Sequence, residues 1–446
     1  MNLEKEGSFR KIIKSSAVLL SGNVFASFLG VLVVIIITKN ISLEDYGHIV
    51  MIQAYVMLID QLFNFQSWQA LIKYGTVAIE NRNKNDLKIY IQISILLDIF
   101  GSLLAFSVAL LLLFSISELL SINTDLLSSY ILYSIIILFR IVGTSTALLR
   151  LSDGYKYFNY QLIINWTIKL ILIAALSLNE IITIKSILIA FIIGEFLSSI
   201  YFIYQGIKSL NRHTLSLKNI SESMFVLLTI TPKIKRFLLF SFRSNLNSAT
   251  LGSMRTIDEL MIGVMLSPAS AAVFKMIKLM GSIFSKVLDP LYVSIYPELS
   301  KLVENDKKND ILFVIKKISG INLIISFLIV SYFYLYGAPT IEFLFTKEYL
   351  IGLPVMQFYL IGIMISFVLF HSQPLMLAYE FEGVALIINL IASGMYIYIL
   401  YIFTPLYGLW AIASSFLIYN IMTNIPKIYY IQRKIKLFTL HERKAN

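Results

Sequence analysis

The chain of 446 residues contains no cysteine, which excludes disulfides, thiolate metal ligands and cysteine nucleophiles. Histidine is almost as scarce. His48, His213, His371 and His441 are scattered without the spacing a metal site needs, so neither a metal centre nor a cofactor is expected. Charge is thin as well: Asp, Glu, Lys and Arg make up 14% of the residues against 58% apolar, a balance that excludes an ordinary soluble domain. What is present instead is a recurring apolar run of about 20 residues, the length that crosses a bilayer. The segments between these runs reach only about 25–30 residues, too short for a soluble domain with its own core.

The runs place twelve membrane spans near 14–38, 46–66, 89–115, 126–149, 159–178, 184–207, 236–266, 268–297, 311–336, 351–378, 383–403 and 406–430. The fold class expected is all-α and polytopic. The basic start (Lys5, Arg10, Lys11, Lys14) leads into a first span with no small-residue cleavage pattern, so a retained first helix is expected. The net charge of +11 is a matter of topology rather than of nucleic-acid binding. About 27 of the 37 Lys and Arg fall on the side that holds both termini, and only Lys39, Lys185 and Lys347 on the other, so the termini are expected in the cytoplasm. A basic stretch rich in Ser, Asn and Thr divides the chain into an N-terminal lobe of six helices (1–208), a linker (209–235) and a C-terminal lobe of six (236–446) with a basic tail. A faint repeat agrees with this division. Residues 39–47, leading into the second helix, hold the same position as Met265-Leu266-Ser267-Pro268-Ala269-Ser270, leading into the eighth.

The remaining seven basic residues lie inside spans: Arg140, Lys169, Arg243, Arg255, Lys275, Lys278 and Lys286. On the eighth helix Lys275, Lys278, Ser282, Ser285, Lys286 and Asp289 fall within roughly a 100° arc. Each charge at a bilayer centre costs about 2.5–3.5 kcal/mol, so such a stripe predicts an enclosed, wet surface. Snorkelling to the interface is open to Lys275, near the helix start, more than to Lys278 or Lys286. Pro290 predicts a kink after Asp289. The seventh helix presents Arg243, Asn247, Arg255, Asp258 and Glu259 to one side, with Arg255 either paired to the two acids three and four residues on or turned to a cavity. Together the two helices carry an excess of positive charge suited to phosphate oxygens.

Asn23 on the first helix and Gln53, Asp60 and Asn64 on the second are expected to line the same cavity. Asp60 has two open roles, as an ion-coupling carboxylate or as a structural counter-ion to a base of the seventh or eighth helix; Asp258, Glu259 and Asp289 share them. The lone charges Asp98, Arg140, Lys169 and Glu195 are expected to pair within the first lobe. Residues 66–75, mixing Trp, Tyr and Leu with polar groups, suggest a helix lying in the membrane interface.

The order of these features resembles the O-antigen flippases of the Wzx type, in the polysaccharide transporter branch of the multidrug/oligosaccharidyl-lipid/polysaccharide (MOP) superfamily. The resemblance rests on the basic N-terminus, Ser21-Gly22-Asn23, Ile41-Ser42-Leu43-Glu44-Asp45-Tyr46-Gly47, Leu71-Ile72-Lys73-Tyr74-Gly75 and Ser267-Pro268-Ala269. It implies two six-helix lobes about a central cavity lined by helices 1, 2, 7 and 8. It also implies a substrate, an oligosaccharide linked through diphosphate to undecaprenol and moved across a bacterial inner membrane. On this resemblance Arg255, Lys275 and Lys278 would meet the diphosphate, and Asp60 or Asp258 would couple an ion gradient. Partners would be membrane lipid and the polymerase and chain-length machinery of the same pathway. A multidrug efflux transporter of the same superfamily is the alternative; its cationic cargo would suit an acidic or aromatic cavity. An enzyme such as a membrane-embedded polymerase is disfavoured by short outer loops with few titratable side chains.

Overall fold

The computed structural model of the protein describes residues 2–117, 124–210, 232–253, 256–305 and 307–445, and among them there is no strand. In chain order the helices are α1 (Asn2–Asn40), α2 (Leu43–Phe63), α3 (Ser67–Glu80), α4 (Lys84–Ile116), α5 (Thr124–Ser134), α6 (Ile136–Phe139), α7 (Gly143–Leu151), α8 (Lys156–Leu178) and α9 (Ile184–Ser209). There follow α10 (Pro232–Ser253), α11 (Ile257–Met265), α12 (Pro268–Glu304), α13 (Lys308–Leu344), a 3₁₀ turn (Lys347–Gly352), α14 (Leu353–Val368), α15 (Ser372–Ala378), α16 (Glu382–Tyr407) and α17 (Leu409–Ala445). Each of the twelve expected spans falls on one helix or on a run of two or three shorter elements. Among the described residues nine of these stretches are long and apolar enough to cross a membrane. The other three, α10–α11, α12 and α17, are the ones interrupted by polar side chains.

The chain forms two compact units, residues 18–264 and residues 265–446 together with 1–17. Most of the expected linker, 211–231, lies outside the described residues. The weak repeat has a local physical basis: Ser42 and Ser267 are both N-caps. The Ser42 hydroxyl accepts the Asp45 N–H at 3.1 Å and that of Ser267 the Ser270 N–H at 3.1 Å, each satisfying a donor that a helix start leaves open.

In the first unit, Gly22 and Gly30 bring α1 close to α8, where a Cβ at Gly22 would fall 2.0 Å from Asn159 Cγ and one at Gly30 3.3 Å from the Trp166 ring. Residues 66–75, expected as one amphipathic helix, are helical from Ser67. They belong to α3, which forms a hairpin with α4 and buries Ala70, Leu71 and Ala78 in a cluster with Leu87, Ile91, Leu148, Ile234 and Phe237. The apolar face of α3 packs against α4, α7 and the start of α10, while Lys73, Thr76 and Val77 on its other side are exposed. Expected continuous helices are broken in both units, the tenth between α14 and α15. The second breaks at residues 64–66, where Gln66 adopts φ 47° and its side-chain oxygen accepts the Trp68 indole N–H at 2.7 Å. The fourth breaks between Phe139 and Gly143. In the second unit α12 stays helical through Pro290.

Candidate functional site

The two breaks in the first unit come together around buried charge. Asp98, well inside α4, accepts bonds from the Ser67 hydroxyl at the start of α3, from the Thr144 backbone N–H at 2.6 Å and from the Thr144 hydroxyl at 2.8 Å. Its carboxylate thereby caps the broken helix at α7 and sits at the positive end of the helix dipole. Gly143 is required there, since a Cβ would lie 2.5 Å from Asp98 Oδ1. Asn64, Asp98, Ser102, Arg140 and Gly143 line one small polar cavity at this point.

Arg140, freed from regular helix by the break, reaches two carboxylates. Its Nη1 donates to Asp60 Oδ2 at 2.6 Å, and its Nε lies 3.5 Å from Glu195 Oε1. Glu195 continues the chain of contacts, with Lys169 Nζ at 3.9 Å and the Asn165 amide donating at 2.7 Å. The Lys169 ammonium also lies 4.9 Å from the Trp166 ring and 5.2 Å from that of Phe191. Gln53 and Tyr133 share a hydrogen bond beside Arg140. Of the four lone charges, Arg140, Lys169 and Glu195 are thus joined, whereas Asp98 is held by the neutral donors Ser67 and Thr144 and not by a base; Asp60 takes Arg140 as its partner rather than a base of the seventh or eighth helix. The reason is reach: the break at residues 140–142 turns the guanidinium inward, at the depth of Asp60.

Of the other expected site residues in this unit, Asn23 and Arg243 are exposed and Asn64 and Gln53 partly buried. Asp258 and Glu259 are buried in the first turn of α11, where the backbone N–H of Glu259 donates to Asp258 at 2.8 Å. Arg255 lies outside the described residues, and so does the side chain of Asn247.

The second unit holds the eighth-helix stripe. Lys275 and Lys278 are both partly exposed on α12, Lys278 lying 5.5 Å from the Phe274 ring, and Ser282 donates to the Leu279 carbonyl at 2.6 Å. The side chains of Lys286 and Asp289 fall outside the described set. One buried base escaped the sequence reading. Lys427 looks like a basic flank of the last span, yet it is 5% exposed, on a face of α17 with buried Asn420, Thr423 and Asn424. These four positions fall within about 100° on a helical wheel, the same signal that marks the eighth helix.

Long apolar helices in two units, with charges paired between helices of the expected spans, define an all-α polytopic membrane protein. Residues 12–303 match the family model described as polysaccharide biosynthesis protein, and the chain belongs to that family. Over 156 residues it is 31% identical to inner membrane protein YghQ of Escherichia coli (strain K12), a match that spans 35% of this chain and 44% of that protein. An inward-facing multidrug resistance MATE family transporter of the MOP superfamily aligns over 95% of this chain and 99% of its own with a TM-score of 0.73 at 12% identity. A MOP superfamily transporter from Pyrococcus furiosus, whose binding pocket is described as reversed in polarity, covers 96% of this chain and 95% of its own with a TM-score of 0.60 at 12% identity. At such identities the likeness establishes the fold alone.

Proposed function

We propose that this protein is a flippase that carries an oligosaccharide linked through diphosphate to undecaprenol from the cytoplasmic to the periplasmic leaflet of a bacterial inner membrane. The observation that carries the proposal is the pair of partly exposed lysines, Lys275 and Lys278, nearly one turn apart on an expected membrane span of a chain in the polysaccharide biosynthesis family. Ammonium groups held in that position bind phosphate oxygens through charge-assisted hydrogen bonds. Lys286 extends this stripe in the reading, and in the first unit Arg243 and Arg255, with the polar Asn23, Gln53, Asn64 and Asn247, are the further substrate-binding groups. Transport proceeds by alternating access, without covalent chemistry, and both termini face the cytoplasm. An ion gradient drives it, through Asp258 or through Asp60 when the Arg140 pair opens.

The test is replacement of Lys278 and Lys286 by alanine in the native host. The flippase reading expects loss of surface polysaccharide at unchanged protein abundance, and undiminished display overturns it. The second reading, efflux of drugs, draws on the likeness to the MATE transporter. It expects instead that deletion of the protein raises drug susceptibility and leaves surface polysaccharide untouched.

A further inference from the structure

α7, which begins after the break at residues 140–142, packs on both α4 and α9 within the first unit. Against α9 the approach is close, since a Cβ at Gly206 would fall 2.6 Å from Ser145 Cβ. The three helices bound a cleft of about 230 Å³, lined chiefly by Ile91, Ile95 and Ile99 of α4, Leu148 of α7 and Ile203 and Ile207 of α9. Ile99 is 38% exposed, so the cleft is open, and all three helices belong to expected spans, so what it opens to is lipid. Water has little to hold it there. A buried water takes about three polar partners, and of the polar lining Asp98 and Thr144 are already bonded to each other at 2.6 and 2.8 Å. Hydrocarbon fills such a space and gains the contacts that a void forfeits.

The apolar wall on α4 continues into charge. Lys88 and Lys84 precede Ile91 at helical spacing, and positions 84, 88, 91, 95 and 99 fall within about 80° on a helical wheel. Lys84 is exposed and Lys88 partly exposed. Side chains on a helix lean toward its N-terminus, so both ammonium groups are directed from the cleft toward the headgroup level. The carboxylate between them in sequence does not neutralise them, because Asp86 lies on the opposite side of α4 and is held by Lys233 at 2.7 and 2.9 Å. From Ile91 to Ile99 the helix rises about 12 Å, close to half of the ~30 Å hydrocarbon core. A chain that fills the cleft therefore comes from one leaflet, the one at the basic end of the spans.

We propose that this cleft holds one acyl chain of an anionic phospholipid of that leaflet, with the headgroup phosphate on Lys84 and Lys88. Charge complementarity selects the occupant: two lysines at the mouth favour a lipid with net negative charge over a zwitterionic one, whose own amine competes for the phosphate. The site draws neither on the lysines of α12 nor on what the protein carries.

The experiment places the full chain in phosphatidylcholine nanodiscs with a trace of phosphatidylglycerol that carries a photoreactive diazirine in its acyl chain, and maps the crosslinked peptides. In wild type, crosslinks concentrate in residues 91–99, 141–148 and 203–210, and unlabelled phosphatidylglycerol suppresses them. Lys84→Gln/Lys88→Gln, a pair of surface changes, lowers the yield at these segments about tenfold or more. Ile203→Trp, which fills the cleft, removes crosslinks there and leaves those around the exposed Ile171 of α8 unchanged; Ile95→Phe serves should that variant fail to fold. The proposal is overturned by a yield in the cleft no higher than around Ile171, by an unchanged yield in the lysine variant, or by equal labelling from a phosphatidylcholine diazirine. Suppression by undecaprenyl phosphate but not by phosphatidylglycerol also overturns it, and assigns the cleft to a polyprenyl chain.

Discussion

Replacing Arg140 by methionine tests whether the buried charges of the first unit act as one network. The guanidinium holds Asp60 at 2.6 Å and lies 3.5 Å from Glu195, and Asp60 is 7% exposed with no other side-chain partner among the described residues. Methionine keeps the bulk of the stem and leaves Asp60 buried and unpaired. The Arg140 side chain is 35% exposed, so the cost falls below that of a fully buried pair, at about 2–4 kcal/mol for a buried carboxylate left without its partner. At about 2–4 °C per kcal/mol for a unit of this size, the melting temperature should fall by about 4–16 °C. The assay is thermal unfolding of purified protein in detergent, followed by loss of the monodisperse peak on size exclusion. Adding Asp60→Asn to Arg140→Met removes the orphaned charge and leaves Glu195 with Lys169. The double variant should therefore recover at least half of the loss, so that the two single effects do not add. A single variant within about 2 °C of wild type, or a double variant equal to the sum of the singles, would refute the reasoning.

Three further outcomes follow from the same geometry. Asp98→Ala should lower stability by about 1–3 kcal/mol, since it strands the buried Thr144 N–H at the start of α7, and Asp98→Asn should lose less; chemical denaturation of the two variants gives the comparison. Gly143→Ala should destabilise by about 1–3 kcal/mol, because its methyl group would meet both Asp98 and the Ser67 hydroxyl; an alanine variant as stable as wild type would contradict the close approach. Asp60→Asn should abolish gradient-driven transport if Asp60 couples the ion; transport that survives both the variant and collapse of the gradient removes that role.

The spans were legible because a bilayer demands length and apolarity, and twelve runs of about 20 residues leave little freedom. The repeat was legible only in position, through the serine caps Ser42 and Ser267, since capping needs one hydroxyl and tolerates change around it. What hydropathy hides is where a helix breaks inside its span. Gln66 in the left-handed region and the interruption after Phe139 leave no apolar gap, yet they decide that Asp60 meets Arg140 and that Asp98 caps α7. The α3 helix carries amphipathic residue types, and composition alone left unsaid which neighbour its apolar face packs on, here α4. Lys427 was obscured by its nearness to the basic tail. Its spacing from Asn420, Thr423 and Asn424 held the signal that the count of charges per loop suppressed.

The measurement that bears most directly on the central claim is transbilayer movement of an undecaprenyl-diphosphate oligosaccharide in proteoliposomes, for wild type and for Lys278→Ala/Lys286→Ala. The account predicts protein-dependent flipping by wild type and its loss in the double variant, with both proteins inserted equally. Flipping at the wild-type rate without the two lysines would contradict it.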